Sequence, residues 1–434
     1  MTLAPSRPAA AAWPELDVVP SGLRTAVSAR TARRLFEAAV ARLDVTVHVE
    51  DPDRTRTLGR AGPAMTVHRP AEFFARVGRH QLIGFGEAYL TGSWDAEDLS
   101  GFLTVLAAEL PALVPHSLQK LRAMVVARPP RVHRNSERNT RDNVAHHYDL
   151  SNDLFGLFLD PSLSYSSALF DTEILPTGEQ LRAAAPAEGS DLHAGQLRKI
   201  DRLLDETRVG EGSRVLEIGT GWGELAIRAA RRGATVRTVT LSTEQKALAQ
   251  KRIAAAGMAA RVTVELCDYR ALRPDTGRYD AILSVEMIEA VGHQYWSTYF
   301  SKLDELLAPG GRVGIQAITM PHDRMLATRH TYTWINKYIF PGGFLPSVEA
   351  VERVTSRDTA LRVSNRLSMG LHYAESLRQW DEAFRAASEQ VRRLGFDPTF
   401  ERMWHFYLEY ARAGFASGYL DVQQFTLTRP DEQP

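Results

Sequence analysis

The chain has 434 residues, more than one ordinary domain holds and enough for two. Its hydrophobic share of 44% and charged share of 24% are those of a globular protein, and a formal net charge of zero removes the global field that draws proteins to nucleic acid. The single cysteine, Cys267, excludes an internal disulfide, and no apolar run reaches the length of a membrane-spanning helix.

Residues 1–21 are rich in Ala and Pro and read as a disordered tail without the basic flank of a signal peptide. Apolar residues recur at helical spacing over 27–41. Residues 45–49 alternate like a strand, with 64–68 as its partner, and 70–79 and 100–110 read as helices. Residues 22–115 are therefore expected to form a small α+β domain, with a turn-rich segment at 86–95.

Residues 116–143 form a basic segment. Over 116–141 Lys120, Arg122, Arg128, Arg131, Arg134, Arg138 and Arg141 stand against one acid, Glu137. Two readings stay open. One is a solvated linker. The other is contact with anionic lipid headgroups, where each basic residue near the surface contributes about 1 kcal/mol. The apolar residues before it, from Phe102 to Val114, would supply an interfacial face.

A catalytic domain is expected over 144–434. Its centre is the run Val215-Leu216-Glu217-Ile218-Gly219-Thr220-Gly221-Trp222-Gly223, a buried strand, a glycine turn and the start of a helix. Glycines there let a ligand approach the backbone, and the helix N-terminus offers N–H groups to a carboxylate. Further strands follow at 234–240, 262–267, 280–284 and 312–318, alternating with helical stretches. That alternation implies parallel βαβ units with ligands at the carboxyl ends of the strands. A dinucleotide fold usually carries an acid at the end of the second strand; here the polar groups are Thr240 and Gln245. With Asp268 closing the third strand, the pattern predicts a class I S-adenosylmethionine-dependent methyltransferase: α/β, Rossmann-like, with a seven-stranded sheet. Residues 178–190 are small and polar and read as a mobile loop, either a lid over the site or a disordered insertion.

Several blocks carry a family resemblance: His147-Tyr148-Asp149-Leu150-Ser151, Tyr165-Ser166-Ser167-Ala168, the glycine turn, Thr240-Leu241-Ser242, Glu289 with Gly292, Pro341-Gly342-Gly343, and His372-Tyr373. On these the chain resembles the cyclopropane-fatty-acyl-phospholipid synthases and mycolic-acid methyltransferases, over residues 144 to about 425. The resemblance implies that Tyr165, Ser166, Gly219 and Gly221 bind the methionine end of S-adenosylmethionine. Thr240 and Gln245 would hold the ribose region, and Cys267 and Asp268 would flank adenine. No metal is implied.

In such enzymes the nucleophile is a carbon–carbon double bond of an acyl chain. Methylation leaves a carbocation, which needs a dry pocket. Tyr332, Trp334, Tyr338, Phe340, Phe344, Trp404, Phe406, Tyr407, Tyr410 and Phe415 could line one, although most of a set this size is core packing. The resemblance also implies a bound bicarbonate as proton acceptor. Here Glu289 and Tyr373 match its holders, while Ser167 and Gln316 stand where the family often has Cys and His. Gln cannot carry charge, so Glu289 itself is an alternative base.

The details lean toward the tuberculostearic-acid branch, which makes 10-methylene chains from oleoyl phospholipids. A cyclopropane product, a soluble methyl acceptor and a non-catalytic lipid-binding protein are the alternatives. The first reading implies a membrane phospholipid substrate and a cytoplasmic protein peripheral to the inner face of the membrane. It also implies a homo-oligomer and a separate flavin- or nicotinamide-dependent reductase.

Overall fold

The structure is a computed structural model that describes residues 13–113, 151–178, 180–274 and 277–430. Most of the expected tail, the basic segment at 116–143 and the block at 144–150 lie outside the described residues. The chain groups into two compact units. The first is 1–128 with 331–339 and 380–419; the second is 129–330 with 340–379 and 420–434. Two pieces of the stretch expected to form one catalytic domain thus belong with the N-terminal residues.

The first unit holds a four-stranded sheet in the order β2-β1-β3-β4, with β1 Thr46–Asp51, β2 Arg54–Gly59, β3 Ala64–Val67 and β4 Trp94–Ala96. The expected partners β1 and β3 do pair, in parallel. The hairpin strand β2 was not expected. It is exposed along much of its length and carries no apolar alternation. Val47, Val49, Met65 and Val67 bury one face of the sheet. Helix α1 (Leu23–Val40) lies against α2 (Pro70–His80), where Phe36 meets Phe73 edge-on at 5.3 Å.

Helix α3 (Leu82–Leu90) occupies the first half of the segment expected to be turn-rich. Its glycines serve close packing. A Cβ at Gly84 would lie 2.0 Å from the Arg76 carbonyl oxygen, and one at Gly86 would lie 2.5 Å from the Trp334 ring. Trp334 in turn packs on Phe406 of α4 (Pro398–Ala416) at 4.8 Å. Arg402 of α4 donates to the Tyr89 carbonyl at 2.7 Å and to Asp95 at 2.7 Å. These contacts are why 331–339 and 380–419 fold with the N-terminal elements. They also make Trp404, Phe406, Tyr407 and Phe415 buried core side chains.

The second unit is built on a parallel sheet. Its strands are β7 Arg214–Ile218, β8 Thr235–Thr240, β9 Val262–Leu266, β10 Tyr279–Val285 and β11 Leu307–Thr319, in the order β9-β8-β7-β10-β11. β13 (Asp421–Thr428) joins β11 antiparallel, and β12 (Arg362–Ser368) joins β13 antiparallel. Those are the seven strands expected. Two more extend the edge: β6 (Gln180–Ala183) runs parallel to β12, and β5 (Ile174–Thr177) pairs with β6. Residues 180–183, expected to be loop, are therefore part of the sheet. Backbone pairing to β12 orders a segment whose composition alone has no strand signal.

Alternate residues of each strand feed opposite layers. Val215, Ala281 and Leu283 pack with Ile200 and Leu203 of α5 (Leu192–Glu206) and Ala226 of α6 (Glu224–Arg231). Leu216 and Ile282 pack with Tyr299, Phe300 and Leu303 of α7 (Trp296–Leu306). Both faces are covered, so the carboxyl ends of the strands are where functional groups collect.

Candidate active site

The glycine turn leaves β7 with Gly219 at φ +97° and Gly221 at φ +51°, both in the left-handed region. A Cβ at Gly219 would lie 2.6 Å from Met287 Cγ, whereas a Cβ at Gly221 would have no heavy atom of the described residues within 4 Å. The turn is thus packed on one side and open on the other. Glu217, buried in β7 just before it, has an Oε2 atom with no hydrogen-bond partner among the described residues. Burial pushes its carboxyl up to about 8. At the end of β8 the Thr240 hydroxyl donates to Gln245 Oε1 at 2.9 Å, and Ser242 caps the following helix by accepting from Gln245 N.

Cys267 and Asp268 follow directly on β9. Asp268, however, accepts from Arg270 through N, Nε and Nη2 at 3.0, 2.9 and 2.6 Å. Any adenine contact at Asp268 would be shared with that arginine. Tyr165 packs edge-on to Phe155 at 5.1 Å, and Ser166 Oγ accepts from Lys199 Nζ at 2.6 Å. The open side of Gly221, the orphaned Glu217 oxygen and the polar ends of β8 and β9 fit S-adenosylmethionine.

The catalytic candidates converge on a residue outside the expected set. Glu286 follows β10 with φ +51°, a conformation a non-glycine residue rarely adopts. Its Oε1 accepts from the Ser167 backbone N–H at 3.0 Å and from Gln316 Nε2 at 2.8 Å. Its Oε2 accepts from the Tyr373 hydroxyl at 2.8 Å. Gln316 is oriented in turn by Gln424, which donates to its Oε1 at 3.1 Å. Ser167, Gln316 and Tyr373 are therefore brought together as expected, but around Glu286. The Ser167 hydroxyl itself turns away to the Ala168 carbonyl. The residues present do not fit a bound bicarbonate, because the donors expected to hold it already hold a carboxylate of this chain.

Glu289 sits one helical turn further on. Its Oε1 accepts from Ile318 N–H at 2.6 Å, and its buried Oε2 has no partner. Burial, then repulsion from Glu286, pushes its carboxyl up to about 8. Glu286 is also raised by burial, but the bonds from Gln316 and Ser167, the nearby Lys199 charge and the Tyr373 bond all pull it back. Of two neighbouring buried carboxyls, Glu286 is thus the one equipped to carry the negative charge.

Lys199 is fully buried on α5, and burial lowers its ammonium to about 8. The sequence offered one signal for Glu286, an acid at the carboxyl end of the fourth strand. It offered none for Lys199, Gln424 or Gln196, which donates to the Ser166 carbonyl at 2.8 Å. Of the expected pocket aromatics, Phe344 in this unit stacks on Trp296 at 5.7 Å.

A doubly covered parallel sheet with an antiparallel β13, a glycine turn after its first core strand and polar groups at the next two strand ends define a class I S-adenosylmethionine-dependent methyltransferase. Residues 135–425 match the family described as mycolic acid cyclopropane synthetase, and the chain belongs to that family. It is 50% identical over 417 residues to the tuberculostearic acid methyltransferase UfaA1 of Mycobacterium tuberculosis, covering 96% of this chain and 95% of that one. It is 31% identical to the cyclopropane-fatty-acyl-phospholipid synthase of Escherichia coli K12, over 86% of this chain and 91% of that one. The solved mycolic acid cyclopropane synthase CmaA1, complexed with SAH and CTAB, superposes with a TM-score of 0.57 at 30% identity. That match covers 66% of this chain and 97% of that one. The protein is an enzyme, and S-adenosylmethionine is its cofactor.

Proposed function

We propose that the enzyme methylates the cis double bond of an oleoyl-like chain in a membrane phospholipid and releases a 10-methylene chain. S-adenosylmethionine supplies the methyl group. The double bond supplies the electron pair, leaving a cation on the adjacent carbon. A hydride shift from the methylated carbon moves the charge to a tertiary position. Loss of a proton from the new methyl group then forms the exocyclic C=CH2 bond.

The observation that carries this reading is Glu286. A buried carboxylate, held at both oxygens by Ser167, Gln316 and Tyr373, is a built-in acceptor for that proton. Positioning and the exclusion of water are the protein's remaining tasks. The identity to UfaA1 over nearly the whole length supports the methylene outcome. A methylene chain has to be reduced to become a methyl branch, which assigns that step to a separate flavin- or nicotinamide-dependent reductase. On the substrate reading the enzyme works at the cytoplasmic membrane surface.

The test is NMR of fatty acids from a host that makes oleoyl phospholipids and expresses this chain. Exocyclic vinylidene protons are expected. Upfield ring-methylene protons would instead mean a cyclopropane synthase, and unchanged lipids alongside folded protein would overturn both.

A further inference from the structure

Helix α1 has one side inside its unit and one side that no other described residue covers. Thr25 and Val40 are buried, and Phe36 packs on Phe73 and Phe74. On the other side Leu23 is 89% exposed, Val27 63% and Leu35 60%. Single exposed aliphatics are ordinary, but three along one face of one helix are not scatter.

Charge is sorted on the same helix. Arg24, Arg30 and Arg34 are exposed, and among the described residues none of them makes an ion pair or a side-chain hydrogen bond. The only acid of α1, Glu37, is engaged by Arg33 at 2.9 Å and Arg56 at 2.7 Å. The outward face therefore carries arginines and aliphatic side chains, and the helix has no second carboxylate to neutralise it. At its N-terminal end Arg24, Arg79 and His80 line a cavity of about 400 Å³ together with Ser21, Val18 and one acid, Glu15.

We propose that this face of α1 docks the enzyme on an anionic phospholipid bilayer. Leu23, Val27 and Leu35 enter the boundary between headgroups and acyl chains. Arg24, Arg30 and Arg34 meet lipid phosphates, which the planar guanidinium can contact in bidentate fashion. The inference rests on the phospholipid-substrate reading above, since an acyl chain in a bilayer is reached only from the membrane surface.

The test is co-sedimentation of the full-length protein with phosphatidylglycerol–phosphatidylethanolamine vesicles and with neutral phosphatidylcholine vesicles. The wild type is expected to bind the anionic vesicles in a salt-dependent manner. Reversing Arg24, Arg30 and Arg34 to Glu is expected to weaken that binding at least a hundredfold, from roughly fivefold for each basic residue removed. Leu23→Ser with Val27→Ser is expected to weaken binding even at low salt. These side chains are exposed, so thermal melts and S-adenosylmethionine affinity should not change.

Activity separates the two readings. Turnover of detergent-dispersed oleoyl phospholipid should survive in both variants while turnover of vesicles falls. No turnover of either substrate by wild type would overturn the function and leave docking to be judged by sedimentation. Unchanged vesicle binding in both variants would overturn the docking surface. So would sedimentation velocity in which Leu23→Ser/Val27→Ser splits a dimer without affecting lipid binding, because the face would then belong to a second copy. Equal binding to anionic and neutral vesicles would overturn the role of the arginines.

Discussion

The Tyr373 hydroxyl donates to Glu286 Oε2 at 2.8 Å across 87 residues of sequence. The same carboxylate is held at its other oxygen by the Ser167 backbone and Gln316. A carboxylate fixed on both sides cannot turn to avoid a developing cation, so its position is set before the reaction begins.

If Glu286 takes the place of a free anion, removing its side chain should open a site that an anion can refill. Glu286→Gly is suited to this because glycine accepts the φ of +51° without strain. Turnover should fall at least ~100-fold, the usual scale for a lost general base. Added bicarbonate or formate should restore part of it, while wild-type turnover ignores both. A loss that no small anion rescues, with cofactor affinity intact, would argue against the base assignment.

Glu289 should behave differently. With its carboxyl raised to about 8, it is protonated at neutral pH, and Gln is a close substitute for a protonated carboxyl. Glu289→Gln should keep turnover within about tenfold of wild type, short of the usual loss of a general base. Its folded pKa lies above the ordinary 4.5, so the stability it contributes is full below pH 4.5 and is lost as pH rises through about 8. The melting temperature of Glu289→Gln should therefore gain on wild type between pH 5 and 8. A pH-independent difference would refute the shifted carboxyl.

Lys199 lowers the Glu286 proton affinity by its charge and holds Ser166 at 2.6 Å. In Lys199→Met the pKa of Glu286 should rise, so the acid limb of the kcat profile should move to higher pH. Should kcat drop with the limb unmoved, Lys199 would be acting only through packing.

Among the described residues nothing fills the space in front of Gly221, so a methyl group there is expected to meet a bound ligand. Gly221→Ala should raise the S-adenosylmethionine Kd at least ~10-fold, a loss of about 1.4 kcal/mol of binding. The left-handed φ should lower stability by about 1–2 kcal/mol. Calorimetry that finds unchanged affinity would move the methionine end elsewhere.

Local pattern was enough for the parallel core. Val215 to Ile218, the glycines at 219 and 221 and the polar ends of β8 and β9 are contiguous in sequence, and each period or turn is a property of a few neighbouring residues. Family motifs added Ser167, Gln316 and Tyr373 as a group. Elements whose cause is a distant partner were not legible. β6 is a strand because β12 lies beside it. Gly84 and Gly86 sit in a helix because Arg76 and Trp334 crowd them.

The active site divides along the same line. The amino-acid order by itself determined the methyltransferase class, the cofactor turn and the residue types around the proton acceptor. On the proposed mechanism, which of two acids three residues apart takes that place is decided only by tertiary structure. Glu286 and Glu289 are equivalent as letters. A left-handed backbone at Glu286 turns its carboxyl toward three donors from β11, the 164–168 segment and the helix of Tyr373, while Glu289 receives a single backbone N–H from Ile318. Charge settles where buried donors converge, and that convergence is a property of the fold.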